Sequence, residues 1–391
     1  MSISAYLFKY IDINPKELLA KGALAKKISM DKLQPFCRDV PEYEIAKFSG
    51  GTRFRNGDTI MARITPCLEN GKTAMVNILE PGEVGFGSTE FIVFRAKEGY
   101  TDPNFVYYLV KSSFVRDPAI KSMVGSSGRQ RVQTDVVQNL IVPFPSLLEQ
   151  RKIASILKSL DDKIALNTAI NDNLEQQAQA LFQELFITNA DPNWRTGTII
   201  NLGTVIGGST PSKAKPEYYT KNGIAWITPK DLSINKSKFI THGENDITEL
   251  GLKNSSATVM PEGTVLFSSR APIGYIAIAA GNITTNQGFK SVVPNDEIGT
   301  AYVYYYLKQN LSMIERLASG STFKEVSGGT MKSVPAIVPD SKTIEKFNSF
   351  CLPIFEQQKV LETQNQTLAG LRDSLLPKLM SGELDASAIQ L

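Results

Sequence analysis

The chain has 391 residues, of which 42% are hydrophobic and 21% are charged, and its formal net charge is +3. This composition excludes a fibrous or wholly disordered protein, and the length predicts two to three domains. No apolar run approaches the roughly 18 residues that a membrane-spanning helix needs. The first twenty residues lack a basic stretch followed by an apolar core, so we expect no secretory signal.

The numbers and positions of the cysteines and the histidine limit which disulfides, metal sites and catalytic groups the chain can form. Cys37, Cys67 and Cys351 lie far apart, and His242 is the single histidine. This spacing fits neither a disulfide framework nor a metal site, so we expect a cytoplasmic protein without a metal of its own. A single histidine also argues against catalysis by histidine acid–base chemistry.

The order of motifs along the chain indicates an internal repeat. The first half contains NGDTIMARITP (56–66), GSTEFIVF (87–94), FVYYLVKS (105–112), GSSGRQRV (125–132) and VPFP (142–145). The second half contains EGTVLFSSRAP (262–272), TNQGFKSVV (285–293), YVYYYLKQN (302–310), GSTFKEVS (320–327) and AIVP (336–339). A period of about 194–206 residues is too long for a solenoid. It therefore predicts two duplicated domains.

Each half is predicted to be a mixed α/β (α+β) domain. Strand-like runs alternate with turn clusters, and the clearest are 59–64, 89–94, 263–269 and 275–280. Residues 105–112 and 301–318 have a helical pattern with aromatic side chains on one side. Their tyrosines could stack on bases, but the spacing favours a role in the domain core.

A long amphipathic stretch follows each half. Residues 146–186 carry one apolar stripe without Gly or Pro, and residues 341–380 carry a second stripe. The seam residues that we predict are Ile153, Leu157, Leu160, Ile164, Leu174, Leu181, Ile354, Leu361, Leu368 and Leu375. Pro353 cannot donate a helical hydrogen bond, so we expect a kink or a restart there.

Two rods with matching stripes predict an antiparallel coiled coil and a pseudo-twofold arrangement of the domains. The alternative is two unrelated helices, each packed on its own domain. The predicted segments are a first domain (1–145), a central helix (146–187), a second domain (188–340), a C-terminal helix (341–380) and a tail (381–391).

Motifs for catalysis are missing. GKT at 71–73 has Pro66 where a phosphate-binding loop needs its first glycine. DPNW at 191–194 lacks the second proline of the aminomethyltransferase motif, and no GxGxxG pattern follows a strand. We therefore expect a protein that is not an enzyme.

The repeated polar loops are the candidate functional feature. Residues 1–145 carry a net charge of +4 and residues 188–340 carry +2, which suits an anionic partner. Arg and Gln can each bind a base edge with two hydrogen bonds, and Lys, Ser and Thr suit phosphate. The predicted DNA contacts are Arg63, Lys72, Arg129, Gln130, Arg131, Ser209, Thr210, Lys213, Lys230, Arg270, Gln287, Lys290 and Lys324. The alternative is that these loops are ordinary surface turns.

Together these motifs resemble the specificity subunit of type I restriction–modification systems. The resemblance covers nearly the whole chain. It is carried by RFRNGDTIMARITPCLENGK, GSTEFIVF, GGSTPSK, ITPKDL, GTVLFSSRAPIGYIAI, TNQGFKS, LEQRKIASILKSLDDKI and LRDSLLPKLMSGEL. The two halves differ in detail. The first half has RITPCLENG where the second has SSRAPIG, and TEF where the second has NQGFK. The alignment therefore places Arg63 and Arg270 one residue apart.

The resemblance implies a function that the residues alone do not give. Each domain would read one half of a split double-stranded DNA site in the major groove. The helices would set the spacer and dock two modification subunits, which hold S-adenosylmethionine. Restriction subunits that use ATP and Mg would join them, and this chain would hold no cofactor. The rival hypothesis is a coiled-coil scaffold or adaptor whose globular domains bind protein.

Overall fold

The structure, a computed structural model, describes residues 3–270, 272–320 and 324–389. The chain divides into two compact units. The first unit comprises residues 1–166 and 365–391, and the second comprises residues 167–364. Because the unit boundaries divide both long helices, the predicted segment boundaries stay a prediction.

The first unit contains two four-stranded sheets. The first sheet has the antiparallel order Ile11–Ile13, Phe91–Ala96, Thr59–Ala62 and Thr73–Met75. The second has the order Glu44–Lys47, Leu24–Ile28, Gly85–Gly87 and Thr52–Phe54, and its central pair is parallel. A separate ribbon pairs Ile3–Tyr6 with Ile141–Phe144. The helices are Leu7–Tyr10, Pro103–Lys111, Arg116–Lys121 and Thr134–Gln138, with 3-10 turns at Met30–Lys32 and Ala386–Ala388.

Strand periodicity explains why both faces of the first sheet are apolar. Successive side chains of a strand point to opposite faces. Ile92 and Phe94 accordingly join the large core around helix Pro103–Lys111, whereas Phe91 and Val93 join a smaller core on the other face. That helix begins at Asp102, whose carboxylate accepts hydrogen bonds from two backbone N–H groups of its first turn.

The second unit repeats this plan with an additional strand. A five-stranded sheet has the order Gly203–Gly207, Lys290–Pro294, Val265–Phe267, Ile276–Ala279 and Phe239–Ile240. A four-stranded sheet has the order Tyr219–Thr220, Asn245–Ile247, Ile224–Ile227 and Ile283–Thr285. Arg195–Thr198 pairs with Pro335–Val338. The helices are Pro229–Ile234, Glu249–Lys253, Gly299–Gln309, Leu311–Arg316 and Gly328–Ser333, with 3-10 turns at Ile199–Asn201 and Pro216–Tyr218.

The structure confirms the mixed fold and the repeat. Each of the four strand-like runs contains a strand, at Thr59–Ala62, Phe91–Ala96, Val265–Phe267 and Ile276–Ala279. Strand Ile141–Phe144 and its counterpart Pro335–Val338 keep the offset of 194 residues that the motifs predict. The core role of the tyrosines is also confirmed, because Tyr107, Tyr108, Tyr302 and Tyr305 are each at most 2% exposed.

The first long helix spans Leu147–Gln183 and continues as a π-helical turn over Glu184–Thr188. The second long helix spans Ser341–Ser381. It runs through Pro353 as one helix, so the predicted restart does not occur. Cys351, Ile354 and Phe355 are buried on either side of the proline, and their packing holds the helix where one backbone hydrogen bond is lost.

Within each unit, parts of the two long helices pack against each other in antiparallel directions. In the second unit Asn167 contacts Gln364, and the Gln358 amide donates to the Asn171 carbonyl. In the first unit, Asp161 pairs with Arg372 at 2.6 Å. Four predicted seam residues are buried, namely Ile153, Leu157, Ile354 and Leu361. The other six are half-buried, namely Leu160, Ile164, Leu174, Leu181, Leu368 and Leu375.

A buried polar network ties each domain to the helices of its unit. In the first unit the Tyr108 hydroxyl donates to Asp161 at 2.7 Å. In the second, the Tyr305 hydroxyl donates to Glu175 at 2.8 Å, and the Lys238 ammonium group donates to both Glu175 and Gln358. These hydrogen bonds fix each domain on both helices of its unit. No helix in the described ranges is long and apolar enough to cross a membrane.

Candidate nucleic-acid interface

The first unit presents a loop of basic residues beside the end of strand Thr59–Ala62. Residues 124–131, here called the first basic loop, are closed by antiparallel bridging of Val124 with Arg131. Gly125 supports the sharp turn with a φ of 135°, which favours glycine. The Val132 N–H donates to the Arg63 carbonyl at 2.8 Å. Of the predicted contacts, these bonds bring together Arg63, Arg129, Gln130 and Arg131.

Arg131 forms a two-point ion pair with Glu90. Its Nε and one terminal nitrogen lie 2.9 and 2.7 Å from the Glu90 Oε1 atom. The hydrogen bond from Arg131 lowers the pKa of the Glu90 carboxyl. The Arg63 Nε atom lies 4.0 Å from the same carboxylate. Glu90 is thus held ionised between two arginines on an accessible surface.

Other cations of the first unit have no acidic partner among the described residues. Arg129 is exposed, and no ion pair to it is found among the described residues. Lys16 and Arg53 line a groove with Arg63, together with Asn14 and Thr89. Sequence reasoning missed both Lys16 and Arg53, although Arg53 opens the RFRNGD segment that carries the resemblance.

Lys72 lies apart from the other predicted contacts of the first unit. Its ammonium group donates to the Met30 carbonyl at 2.8 Å, and no hydrogen bond or ion pair from that group to Arg63 or the first basic loop is found among the described residues. This hydrogen bond satisfies the lysine within the protein. The structure therefore does not bring Lys72 into the candidate interface.

In the second unit, parallel strands bring three loops together. Ile224–Ile227 and Ile283–Thr285 are parallel neighbours, so the residues after them emerge at the same edge of the sheet. Lys230 follows the first strand and Gln287 follows the second. The third loop joins them because the Ser209 N–H donates to the Thr285 carbonyl at 2.9 Å.

Side-chain contacts order this edge further. The Thr210 hydroxyl donates to the Gln287 side-chain carbonyl. The Trp226 indole donates to the Ser209 carbonyl at 3.0 Å, which holds the loop against the sheet. Lys213 is exposed on the same loop, and no carboxylate partner for it lies in the described part of the chain.

A second basic loop corresponds to the first. It comprises residues 319–325, of which 321–323 lie outside the described residues, and Ser319 bridges Glu325 in antiparallel fashion. The Arg270 Nε atom lies 3.0 Å from the Glu325 carboxylate, and the Lys290 ammonium group lies 3.6 Å from it. Lys324 is exposed beside this pair. The structure therefore brings Arg270, Lys290 and Lys324 together.

Several predicted contacts are already paired within the protein. Lys230 lies 2.7 Å from the Glu244 carboxylate, and its hydrogen bond lowers the pKa of that carboxyl. Arg131 and Arg270 are paired as described above. Exposed ion pairs contribute only about 0–1 kcal/mol to stability, so phosphate or a base edge can replace the acidic partner at small cost. Cations with and without partners can therefore both bind nucleic acid.

The acidic, cysteine and histidine side chains of the described residues form no cluster of three that could hold a metal ion. His242 is on the surface and its Nδ1 atom lies 3.1 Å from the buried Asp246 carboxylate.

Comparisons with known proteins identify the family of the chain. A family model described as "Type I restriction modification DNA specificity domain" matches residues 26–176 and 192–369. The MjaIX specificity subunit of Methanocaldococcus jannaschii is 41% identical over 167 residues, which are 42% of this chain and 38% of that subunit.

Two further relatives align over most of the chain. The HindI specificity subunit of Haemophilus influenzae is 26% identical, with 84% of this chain and 87% of that protein covered. The EcoR124I/EcoR124II specificity subunit of Escherichia coli is 27% identical, with 93% and 89% covered. A crystal structure of a type I restriction–modification S subunit from M. genitalium has a TM-score of 0.59 at 15% identity. The alignment covers 97% of this chain and 96% of the M. genitalium subunit, and the two proteins share a fold.

Proposed function

We propose that this chain, which belongs to the type I restriction–modification DNA specificity family, reads a two-part DNA site with one part for each unit. As a member of that family it is a DNA-specificity subunit of a type I system. The finer division of labour between its two units is our proposal. It rests on one observation, which is that the same basic interface is built twice from different side chains.

The difference between the two interfaces supports two different half-sites. The first unit offers Arg63 and Arg131 around one carboxylate, Glu90, with the exposed Arg129 on the same loop. The second offers Arg270 and Lys290 around Glu325, with Thr210 and Gln287 beside them. Since base edges in the major groove are distinguished by donor and acceptor patterns, unlike side chains at like positions read unlike sequences.

Projecting loops on a rigid sheet edge suit the major groove. Cations without a partner, such as Arg129, Lys213 and Lys324, would bind phosphates and fix the register of the protein on the duplex. Arginine and glutamine side chains that are oriented by a hydrogen bond or ion pair to a neighbouring side chain would bind base edges. This assignment separates affinity from sequence preference, and the two can be measured separately.

The long helices would determine the spacer between the half-sites. Each helix contributes residues to both units, so its length constrains how far the reading loops extend along the DNA. Large apolar side chains also remain exposed on the helices, namely Leu148, Leu166, Leu352, Val360 and Leu371. Contiguous exposed apolar patches typically mark partner surfaces, and we infer that these side chains contribute to such surfaces. We propose that two modification subunits dock there and that restriction subunits join the assembly.

This chain would contribute no catalytic group. S-adenosylmethionine would be held by the modification subunits, and ATP and Mg by the restriction subunits. The rival function, a scaffold whose domains bind protein, predicts acidic or apolar faces on both domains. The faces formed by the two basic loops are instead polar and predominantly cationic, so the rival is not favoured.

The test is selection of bound fragments from a random duplex library by this chain co-expressed with its modification subunit. A split motif with a fixed gap is the expected result. A pool that binds in a salt-sensitive but sequence-independent way would contradict the proposal. Inclusion of the modification subunit matters because the docking surface on the long helices would otherwise be exposed.

A further inference from the structure

The two basic loops occupy equivalent positions in the repeat. The Val132 N–H donates to the Arg63 carbonyl, and the Val326 N–H donates to the Ser269 carbonyl in the same way. Arg131 forms an isolated antiparallel β-bridge with Ile64, and Glu325 forms the same kind of backbone bridge with Arg270. The backbone register therefore aligns Arg131 with Glu325.

At this position the two units carry opposite charges. In the first unit the loop supplies the arginine, Arg131, and the carboxylate comes from Glu90. In the second unit the loop supplies the carboxylate, Glu325, and the arginine is Arg270 on the neighbouring segment. An arginine–glutamate pair is thus formed at the same loop position in both units, but the loop supplies the arginine in the first and the carboxylate in the second.

Stability does not explain these pairs. The Arg131 and Arg270 side chains are 47% and 49% exposed. Ion pairs this accessible contribute little to folding. A carboxylate on a DNA-binding face also repels phosphate, so Glu90 and Glu325 oppose non-specific binding unless they bind a donor on the DNA.

A G·C base pair presents hydrogen-bonding groups that are complementary to an arginine–glutamate pair. In the major groove guanine presents two acceptors, O6 and N7, and cytosine presents one donor, its N4 amino group. Arginine can donate to guanine while glutamate accepts from cytosine. In both pairs the arginine and the carboxylate lie within 3.0 Å of each other, so one base pair can engage both.

We propose that Glu90 and Glu325 are specificity-determining residues that accept from cytosine, each acting with its arginine to read one G·C pair. This inference rests on the proposed function and deepens it. Because the loop supplies the arginine in one unit and the carboxylate in the other, the guanine is expected on opposite strands relative to the basic loop in the two half-sites.

The test repeats the library selection with the complete complex and four variants, Glu90→Gln, Glu90→Ala, Glu325→Gln and Glu325→Ala. Each alanine variant should lose discrimination by about 5- to 100-fold at one G·C position. Glu90→Ala should affect one half-site and Glu325→Ala the other. Matched controls are Glu83→Gln and Glu262→Gln, which remove surface carboxylates paired with Lys26 and Lys359. Both controls should keep the wild-type motif.

Different failures have different meanings. A uniform gain in affinity without a change of motif would mean that the carboxylates only repel phosphate, which overturns the inference. Unchanged motifs and affinities in all four variants would overturn it as well. If the wild-type complex selects no split motif, the proposed function itself fails, and the inference fails with it. The glutamine variants keep the side-chain shape, so assembly of their complexes excludes misfolding as the cause.

Discussion

The buried ammonium group of Lys238 and the half-buried carboxylate of Glu175 form an ion pair that joins the chain before strand Phe239–Ile240 to the first long helix. Three aromatic rings surround the ammonium group, those of Tyr304, Tyr305 and Phe355, at 4.5–5.4 Å from their centroids. Lys308 and Tyr305 also bind the Glu175 carboxylate. This cluster holds the second domain on the helices of its unit.

Replacement of Glu175 should destabilise the second unit. Glu175→Gln leaves the Lys238 charge buried without its counter-ion, and we expect a loss of about 2–4 kcal/mol in the free energy of unfolding. Urea denaturation measures the loss. Glu184→Gln, at an exposed position of the same helical segment, is the matched control and should change little. An equal effect of both variants would show that the ion pair is unimportant.

The same carboxylate predicts how stability depends on pH. Burial alone would raise the pKa of Glu175, but Lys238 and Lys308 outweigh burial and lower it from 4.5 to about 2. A lowered folded-state pKa stabilises the protein above the unfolded pKa, and this contribution disappears as the pH falls towards 2. The stability difference between wild type and Glu175→Gln should therefore be constant above about pH 5 and shrink below it. A difference that stays constant down to pH 3 would contradict the lowered pKa.

In the first unit, Arg372 and Asp161 should behave as a coupled pair. Both side chains are 6% exposed. Arg372→Met leaves a buried carboxylate unpaired and is expected to cost about 3–5 kcal/mol. Tyr108→Phe removes only one hydrogen bond to Asp161 and should cost about 1 kcal/mol. Chemical denaturation of both variants measures their losses in the free energy of unfolding. A larger loss for Tyr108→Phe than for Arg372→Met would contradict the importance of the ion pair.

Pro353 should weaken the second long helix. It is exposed and lies inside helix Ser341–Ser381, where it cannot donate to the Ser349 carbonyl. Pro353→Ala restores this hydrogen bond and should raise stability by about 1–3 kcal/mol. Thermal unfolding reports the change. Destabilisation by alanine would mean that the proline is needed for the packing of Cys351 and Ile354.

The repeat and the helices could be predicted from the sequence because they depend on local patterns. Motifs at an offset of 194 residues and apolar residues at spacings of three and four persist whatever they pack against. Of the kink or restart predicted at Pro353, the restart was wrong, because packing on both sides of the proline outweighs one missing hydrogen bond, and the kink stays a prediction. Intrinsic helix propensity describes an isolated segment, and it does not account for the packing of buried neighbouring side chains.

The candidate interface could be predicted only in part. Arg129, Arg131 and Arg270 belong to recognisable basic segments. Glu90 and Glu325 could not be identified in the same way, because their importance depends on strand register, which joins residues 41 and 55 positions apart in the chain. Lys72 has the same side-chain chemistry as the other candidates, and its hydrogen bond to the Met30 carbonyl joins residues 42 positions apart, which the sequence pattern does not reveal.

Arg129 provides a test of phosphate contacts. Because it is exposed and has no acidic partner among the described residues, Arg129→Ala should weaken binding to all sequences equally. The slope of log affinity against log salt should become shallower by about 0.9. The selected motif should not change. Lys346→Ala removes an exposed charge from the second long helix and serves as the control; a change of motif in Arg129→Ala would make Arg129 a base contact.

Lengthening both long helices should change the spacer. Four residues inserted after Leu166 and four after Gln364 add about one turn, or roughly 6 Å, to each helix at the unit boundaries. The accepted spacer should lengthen by about two base pairs while both half-sites stay the same. Library selection with the lengthened complex measures this. An unchanged spacer would exclude the helices as its determinant.

Reading of the major groove by both units is tested most directly by interference with purine N7. The selected duplex is synthesised with 7-deazapurine at one position at a time, which removes one major-groove acceptor and leaves base pairing intact. Affinity for the complex of this chain with its modification subunit is then measured at each position. Losses are expected at positions in both half-sites and at none in the spacer. Losses confined to one half-site, or absent everywhere, would contradict two major-groove readers in one chain.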